Sequence, residues 1–223
     1  MTSAPRKLLR VTTDERGPLV VLLHGFAGTP EDLEPFARSL GVPAQFVFPE
    51  APVDLGPLGL PGRAWWPSDG TGRSAAMCSG IARDLADFQP EGLVEARRDL
   101  EALLDDLCAE AGQAPLVLGG FSQGAMLAFE CALHGQRALR GLVQLSGARI
   151  DRSHWDPLLP RRAGTPAFIS HGRQDTDLSF EACQRFEQDL RAAGWLVEFC
   201  PFDGGHEIPI PALRGLKRFL RRL

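Results

Sequence analysis

One serine of this chain stands in a setting that suits a nucleophile. Ser122 is the centre of residues 120–124, Gly-Phe-Ser-Gln-Gly, which directly follow the apolar run 115–119. Residues 125–133 are good helix formers and are apolar nearly all round, as in a buried helix. The form Gly-x-Ser-x-Gly between a strand and a helix is typical of a sharp, strained turn that exposes the serine, where flanking side chains would clash. The pattern predicts that Ser122 attacks a carbonyl carbon.

A base and an acid for this serine follow later in the chain. A serine hydroxyl is a weak nucleophile at neutral pH, so it needs a neighbouring base and an acid that orients that base. Asp175 lies in the loop after the apolar strand that begins at 167, and His206 lies in a glycine-bearing loop after the strand that begins at 197. The order Ser, Asp, His is that of the α/β-hydrolases. We therefore predict Ser122 as nucleophile, His206 as general base and then acid, and Asp175 as the group that fixes the His206 tautomer.

Acyl transfer also needs two N–H donors for the oxyanion. One donor is expected from the backbone of Gln123, the residue after the nucleophile, at a helix N-terminus whose dipole favours negative charge. The second is expected from the loop 24–28, His-Gly-Phe-Ala-Gly, which follows the buried strand 19–23. Its glycines let the loop fold back over the site, so the N–H of Phe26 is the predicted second donor.

Six segments, spread in order from residue 22 towards the C-terminus, together resemble the phospholipase/carboxylesterase family of serine hydrolases, which includes the acyl-protein thioesterases. They are LLHGFAGTPEDL (22–33), FVFPEAP (46–52), GRAWW (62–66), GGFSQGAM (119–126), HGRQD (171–175) and DGGHEI (203–208). The resemblance implies the α/β-hydrolase fold with a minimal cap, and it places the family's triad on Ser122, Asp175 and His206 and its oxyanion donors on Phe26 and Gln123. The chain departs from the family at Ala125, where a second glycine is usual, and at Leu178-Ser179, where Val-Pro is usual.

Other titratable residues near the motifs have competing interpretations. Asp177 is an alternative acid or a cap for the helix beginning near Ser179; Asp175 is favoured because its spacing from His171-Gly172 matches the family. Asp203 lies three residues from His206 and is expected to be a turn former. No Cys/His cluster surrounds His206, which argues against a metal ligand, so no metal and no cofactor is expected. His24 and His171 end strands beside glycines and are expected to be structural.

Strand and helix patterns alternate along the chain as in an α/β protein with a mostly parallel, doubly wound sheet flanked by helices. We find no repeat and no linker, so residues 1–223 are expected to form one domain. The segment from about 49 to 90 is long, irregular and rich in Pro and Gly. The resemblance implies that it lies over the active site and that Trp65, Trp66 and Leu58 or Leu60 wall an acyl pocket. The alternative is that Trp65 and Trp66 anchor the loop on the core.

Composition excludes several classes of protein. A net charge of −4 and a pI near 5.8 argue against a nucleic-acid binder. The apolar runs are strand-length, so no stable membrane insertion is expected. With no signal-peptide pattern and five scattered cysteines, the expected location is cytoplasmic. Whether the protein is a monomer or a homodimer is left open.

The expected function is hydrolysis of carboxylic esters, or of thioesters, through an acyl-enzyme intermediate without a metal. The expected substrate is a small-molecule or lipid-like acyl ester. A lysophospholipase or an acyl-protein thioesterase is the alternative enzyme, since one fold hosts many substrates. The alternative from another class is a non-catalytic relative that binds a small ligand.

Overall fold

A computed structural model describes residues 7–67, 70–112 and 114–223. Nine strands are present among them. In chain order they are β1 Leu8–Thr12, β2 Leu19–Leu23, β3 Gln45–Pro49, β4 Val53–Asp54, β5 Arg63–Ala64, β6 Leu116–Phe121, β7 Gly141–Leu145, β8 Pro166–Gly172 and β9 Leu196–Phe202.

Seven α-helices and three short 3-10 helices connect the strands of the described residues. The α-helices are α1 Glu34–Leu40, α2 Gly70–Ser79, α3 Leu93–Glu110, α4 Gln123–His134, α5 Arg152–Trp155, α6 Phe180–Ala192 and α7 Ile210–Arg222. The 3-10 helices span Pro30–Asp32, Gly56–Leu58 and Asp156–Arg162. In the part of the chain that the structure describes, none of these helices has both the length and the apolar composition needed to cross a membrane.

The main sheet has the strand order β1-β3-β2-β6-β7-β8-β9, and only the edge strand β1 runs antiparallel to its neighbour. Because successive residues of a strand point to opposite faces, β2 feeds both layers of the core. Leu19, Val21 and Leu23 pack with α3, α4 and α6, whereas Val20 and Leu22 pack with α1 and α7. The sheet is therefore covered on both faces, as its parallel strands require.

The mostly parallel, doubly wound sheet flanked by helices confirms the predicted fold class. The sequence pattern of residues 31–40 predicts one helix, and this prediction is wrong in one respect, because the structure splits the stretch into the 3-10 turn Pro30–Asp32 and α1. Pro35, in the first turn of α1, has no N–H to continue the earlier turn. Within the irregular segment 49–90, the two-residue strands β4 and β5 and the helix α2 were not predicted. Helix α2 is rich in Gly and Ser and carries no apolar stripe.

Candidate active site

The turn around Ser122 is strained and tightly packed. Ser122 lies between the end of β6 and the start of α4, and its backbone angles are φ 53° and ψ −118°. Residues other than glycine rarely adopt this backbone conformation. A Cβ atom on Gly124 would lie 2.3 Å from the carbonyl oxygen of Leu23, and one on Gly120 would lie 2.6 Å from the same oxygen. The predicted need for glycine on both sides of the serine is confirmed, because neither position has room for a side chain.

A continuous chain of hydrogen bonds joins the three residues predicted as a triad. His206 Nε2 lies 2.8 Å from Ser122 Oγ, and His206 Nδ1 lies 2.7 Å from Asp175 Oδ2. The carboxylate accepts from Nδ1–H, so Nε2 is left free to accept the serine proton. The ring of Phe121 lies 4.9 Å from the His206 ring, measured between centroids, and supports it from one side. The geometry is that of a nucleophile, a base and an orienting acid.

Asp175 is held by several donors besides His206. Its Oδ1 accepts from the backbone N–H groups of Asp177 at 2.8 Å and Leu178 at 2.9 Å. Burial by itself raises the pKa of Asp175, but hydrogen bonds from His171 and His206 and the charge of His206 outweigh it and hold that pKa well below its usual value. The carboxylate is therefore ionised throughout the neutral range.

The two other acids considered as partners of His206, Asp177 and Asp203, do not contact it. Asp177 forms ion pairs with Arg73 and Arg83 and does not cap α6, because Ser179 accepts from the Ala182 N–H in that role. The side chain of Asp203 is 86% exposed and faces Arg173 at 3.6 Å. Of the three acids, only Asp175 contacts His206.

His171 contacts the site more closely than the sequence indicated. Its Nε2 lies 3.0 Å from the Leu178 carbonyl oxygen and 3.3 Å from Asp175 Oδ2, and the side chain is fully buried. Burial by itself lowers the pKa of His171, but its hydrogen bonds, that with Asp175 first among them, raise it to about 10. The predicted loop-shaping role is confirmed by the bond to Leu178. The contact with the acid was not predicted, since residues four apart in a loop have no fixed relation in the sequence.

The two predicted oxyanion donors border the same space as Ser122. Phe26, Gln123 and Ser122 line one cavity, and a Cβ atom on Gly25 would lie 3.3 Å from Ser122 Cβ, so the loop 24–28 passes beside the nucleophile. Among the residues that the structure describes, the backbone N–H groups of Phe26 and Gln123 donate to no protein acceptor. Both remain available to a ligand oxygen.

The cavity beside Ser122 has apolar and charged walls. The cavity has a volume of about 40 Å³ and opens to solvent. Trp66 lines it, as predicted for an acyl pocket. Its other wall residues were not predicted, because they come together only in the fold. They are Arg73, Arg83, Leu85, Phe88, Met126, Asp177 and Leu178.

The structure does not bring the other two predicted pocket residues to this cavity. Trp65 is buried behind the wall, where its indole Nε1 donates to the carbonyl of His24 at 2.8 Å. The Gln123 side chain accepts from Trp65 N–H at 2.9 Å and donates to the Trp66 carbonyl at 3.1 Å. Leu58 is 69% exposed on a 3-10 turn, and Leu60 is 41% exposed. Trp65 therefore fits the alternative interpretation, in which it anchors the segment 49–90 on the core.

His24 has the structural role that was predicted. Its Nε2 accepts from the Ala51 N–H at 3.1 Å, so Nδ1 carries the proton and donates to the Gly25 carbonyl at 2.8 Å. Burial lowers the pKa of His24, which keeps the ring neutral. Within residues 7–67, 70–112 and 114–223, no group of three or more His, Cys, Asp or Glu side chains is arranged to hold a metal ion.

Comparison with known proteins establishes the family. The chain matches the family model described as Phospholipase/Carboxylesterase over residues 9–223. A probable carboxylesterase of Oryza sativa subsp. japonica is 29% identical over 210 residues, covering 91% of this chain and 76% of that protein. Acyl-protein thioesterase 1 of Emericella nidulans is 25% identical over 200 residues, covering 83% and 80%. The crystal structure of esterase PE8 is similar with a TM-score of 0.77 at 26% identity, covering 98% and 99%. The chain therefore belongs to the phospholipase/carboxylesterase family and is a carboxylesterase- or thioesterase-type hydrolase with the α/β-hydrolase fold.

Proposed function

We propose that this protein cleaves carboxylic esters through an acyl-enzyme intermediate formed on Ser122. The observation that carries the proposal is the unbroken chain of hydrogen bonds from Ser122 Oγ through His206 to Asp175. Each member comes from a different strand end of one parallel sheet, the usual location of active sites in open α/β sheets.

The geometry defines the order of proton transfers. As Ser122 Oγ attacks the ester carbonyl carbon, His206 Nε2 accepts the hydroxyl proton, and the ionised Asp175 stabilises the imidazolium that forms. His206 then donates this proton to the leaving alkoxide, and the acyl group remains on Ser122. A water molecule, deprotonated by His206, attacks the acyl-enzyme, and His206 returns that proton to Ser122 Oγ as the acyl–Oγ bond breaks and the carboxylic acid is released.

The oxyanion of each tetrahedral intermediate is assigned to the Phe26 and Gln123 N–H groups. Their lack of protein acceptors within the described residues supports this role, because preorganised donors stabilise developing charge without reorganisation. The N-terminus of α4, a buried helix of 12 residues, adds its positive dipole end at Gln123.

The size of the cavity favours short acyl chains over long ones. The cavity beside Ser122 has a volume of about 40 Å³ and opens to solvent, so a fatty-acyl chain would have to extend beyond it. We therefore expect esters of short carboxylic acids to be preferred; a lysophospholipase or an acyl-protein thioesterase is the alternative, which the ester series below tests.

Hydrolysis of 4-nitrophenyl esters from acetate to palmitate tests the proposal. Ser122→Ala is expected to lower kcat by roughly three to six orders of magnitude, because no other group replaces the nucleophile. Ser39→Ala, which changes an exposed serine on α1, is the matched control. A Ser122→Ala enzyme as active as the wild type would remove Ser122 from the mechanism. A rate that rises steadily towards palmitate would contradict the short-chain assignment.

A further inference from the structure

The described residues that line the cavity beside Ser122 carry more positive than negative charge. Three of its wall residues are charged, Arg73, Arg83 and Asp177. Their side chains are 30%, 20% and 6% exposed, so all three are at least partly withdrawn from water. Two guanidinium groups share one carboxylate, which leaves one positive charge without a counter-charge among these three.

The other acids that the structure describes near this cavity do not supply that counter-charge. Asp175 is engaged by His206, His171 and two backbone N–H groups. Asp84 follows Arg83 in the chain but pairs with Arg185 at 2.7 Å, away from the cavity wall. Among the described residues that line the cavity, Asp177 is the only acid.

The two arginines are held differently. Arg83 directs both Nε, at 3.1 Å, and Nη2 to Asp177 Oδ1, and its backbone N–H donates to the Asp177 carbonyl at 2.9 Å. This set of bonds fixes Arg83 to the loop that carries Asp175. The Arg83 guanidinium is already bonded to Asp177, so Arg83 serves to hold the wall of the cavity in place.

Arg73 is held more loosely. Its Nε lies 2.9 Å from Asp177 Oδ2, but the N–H is not aimed at that oxygen, and within the described residues this buried atom has no hydrogen-bond partner. The guanidinium carbon lies 5.5 Å from the centroid of the Phe26 ring, above the residue whose N–H is assigned to the oxyanion. The planar donor fork of an arginine matches a carboxylate in two parallel hydrogen bonds. Arg73 thus presents an incompletely satisfied anion-binding group in the same cavity as Ser122.

We infer that Arg73 selects substrates whose short acyl chain ends in a carboxylate, that is, monoesters of small dicarboxylic acids. The inference rests on the proposed function of Ser122. Water adds across the ester, the acyl C–O bond breaks, and the products are the alcohol and the free dicarboxylate. The apolar walls Trp66 and Met126 contact the intervening methylene groups, and Arg73 binds the distant carboxylate.

Matched pairs of esters test this specificity. Monoethyl succinate, glutarate and adipate are compared with ethyl butyrate, pentanoate and hexanoate, which have the same acyl lengths without the charge. The acid is expected to have the higher kcat/KM in at least one pair, by about tenfold, the usual worth of a hydrogen-bonded charge in a partly exposed site. The ratio is expected to fall as NaCl is raised from 0.05 to 0.5 M, because salt screens exposed charges.

Variants of Arg73 test whether this residue causes the preference for the charged acyl chain. Arg73→Gln is expected to lower the acid-to-neutral ratio to about one, and Arg73→Lys to restore part of it, because lysine keeps the charge but not the planar fork. The ratio is internal to each enzyme preparation, so a partly unfolded variant would lower both rates and leave the ratio unchanged. Arg185→Gln, which removes an arginine outside the cavity, is expected to retain the wild-type ratio.

The outcomes separate this inference from the proposed function. Equal kcat/KM within every pair, or turnover of 4-nitrophenyl butyrate without turnover of monoethyl succinate, glutarate or adipate, would overturn the inference and leave the Ser122 mechanism standing. In 4-acetoxybenzoate the carboxylate is on the leaving group and not on the acyl chain. Preference for this ester over its methyl ester, without a preference in the acyl pairs, would show that the site binds an anion on the alcohol side, and would also overturn the inference. Failure to hydrolyse any ester would overturn the proposed function itself.

Discussion

The strand ends that carry Ser122, Asp175 and His206 and the segment that carries Trp66, Arg73 and Arg83 are built in different ways. The first group extends from neighbouring parallel strands whose backbone ladders fix their spacing. The second group belongs to a stretch outside the main sheet, which is held by a few backbone hydrogen bonds, such as that from the Arg83 N–H to the Asp177 carbonyl, and by individual side-chain contacts.

Two such contacts are visible. The Gln123 amide holds the backbone of Trp65 and Trp66, and Asp177 holds Arg83. A sheet ladder cannot shift at one residue without disturbing its neighbours, whereas a side-chain contact can be exchanged by one substitution. From this comparison we expect that the proposed chemistry and the proposed substrate specificity can be changed separately.

The largest expected effect lies at the strand ends. Asp175→Asn is expected to lower kcat by about 10⁴, because the amide N–H₂ would face His206 Nδ1 and force the wrong imidazole tautomer. The pH-independent kcat for 4-nitrophenyl butyrate measures the loss. Asp203→Asn, at an exposed position beside the same histidine in sequence, is the control and is expected to match the wild type.

The variant Asp177→Asn sharpens this test, because Asp177 is an acid that lies close to Asp175 in the sequence but does not contact His206. It is expected to weaken the hold on Arg73 and Arg83 while kcat for neutral esters falls by less than about tenfold. An Asp177→Asn enzyme as inactive as Asp175→Asn would show that the two regions are not separable.

An intermediate effect is expected where the two regions meet. Gln123→Leu keeps the backbone N–H but removes the side-chain partners of the Trp65 N–H and the Trp66 carbonyl. Loss of buried hydrogen bonds costs roughly 1–3 kcal/mol, which we expect as a lower free energy of unfolding in urea. We expect kcat/KM to fall by about tenfold as the Trp66 wall shifts. Gln136→Leu, at an exposed position, is the control; equal urea midpoints for both variants would contradict the assigned role of Gln123.

The smallest effect on turnover and the clearest pH signature are expected at His171. Its pKa is about 10 in the folded chain and near 6.5 when unfolded, so the folded protein binds one extra proton between these values. The stability that His171 contributes is therefore fully present below about pH 6.5 and is lost as the pH rises through about 10. One proton corresponds to a slope of about −1.4 kcal/mol per pH unit in the free energy of unfolding.

Replacing His171 with Gln is expected to remove that slope, measured by urea unfolding from pH 6.5 to 10. His24→Gln is the matched control, because His24 is also buried after a strand but has a lowered pKa and carries no extra proton in this window. Parallel curves for the wild type and His171→Gln would show that His171 is neutral beside Asp175.

Local signals in the sequence predicted most of the fold. Two apolar runs identify β2 and β6 as buried strands, and an apolar stripe identifies α3 as a helix. The reason is that apolar residues recur along the sequence with the spacing at which a strand or helix turns them towards the core. The split of the helix at Pro35 and the helix α2 were missed. The first depends on a single absent N–H, and the second has too little apolar pattern to distinguish it from a loop.

What the sequence by itself determined is the identity and the location of the candidate catalytic residues. Gly120, Ser122 and Gly124 between a strand and a helix demand one backbone geometry, and Asp175 and His206 follow in loops after strands that a parallel sheet must bring to one edge. Only the tertiary structure decided which groups face that chemistry. The contact of His171 with Asp175 and the approach of Arg73 to Phe26 join residues with no periodic relation, because packing of irregular segments depends on the whole surface beneath them.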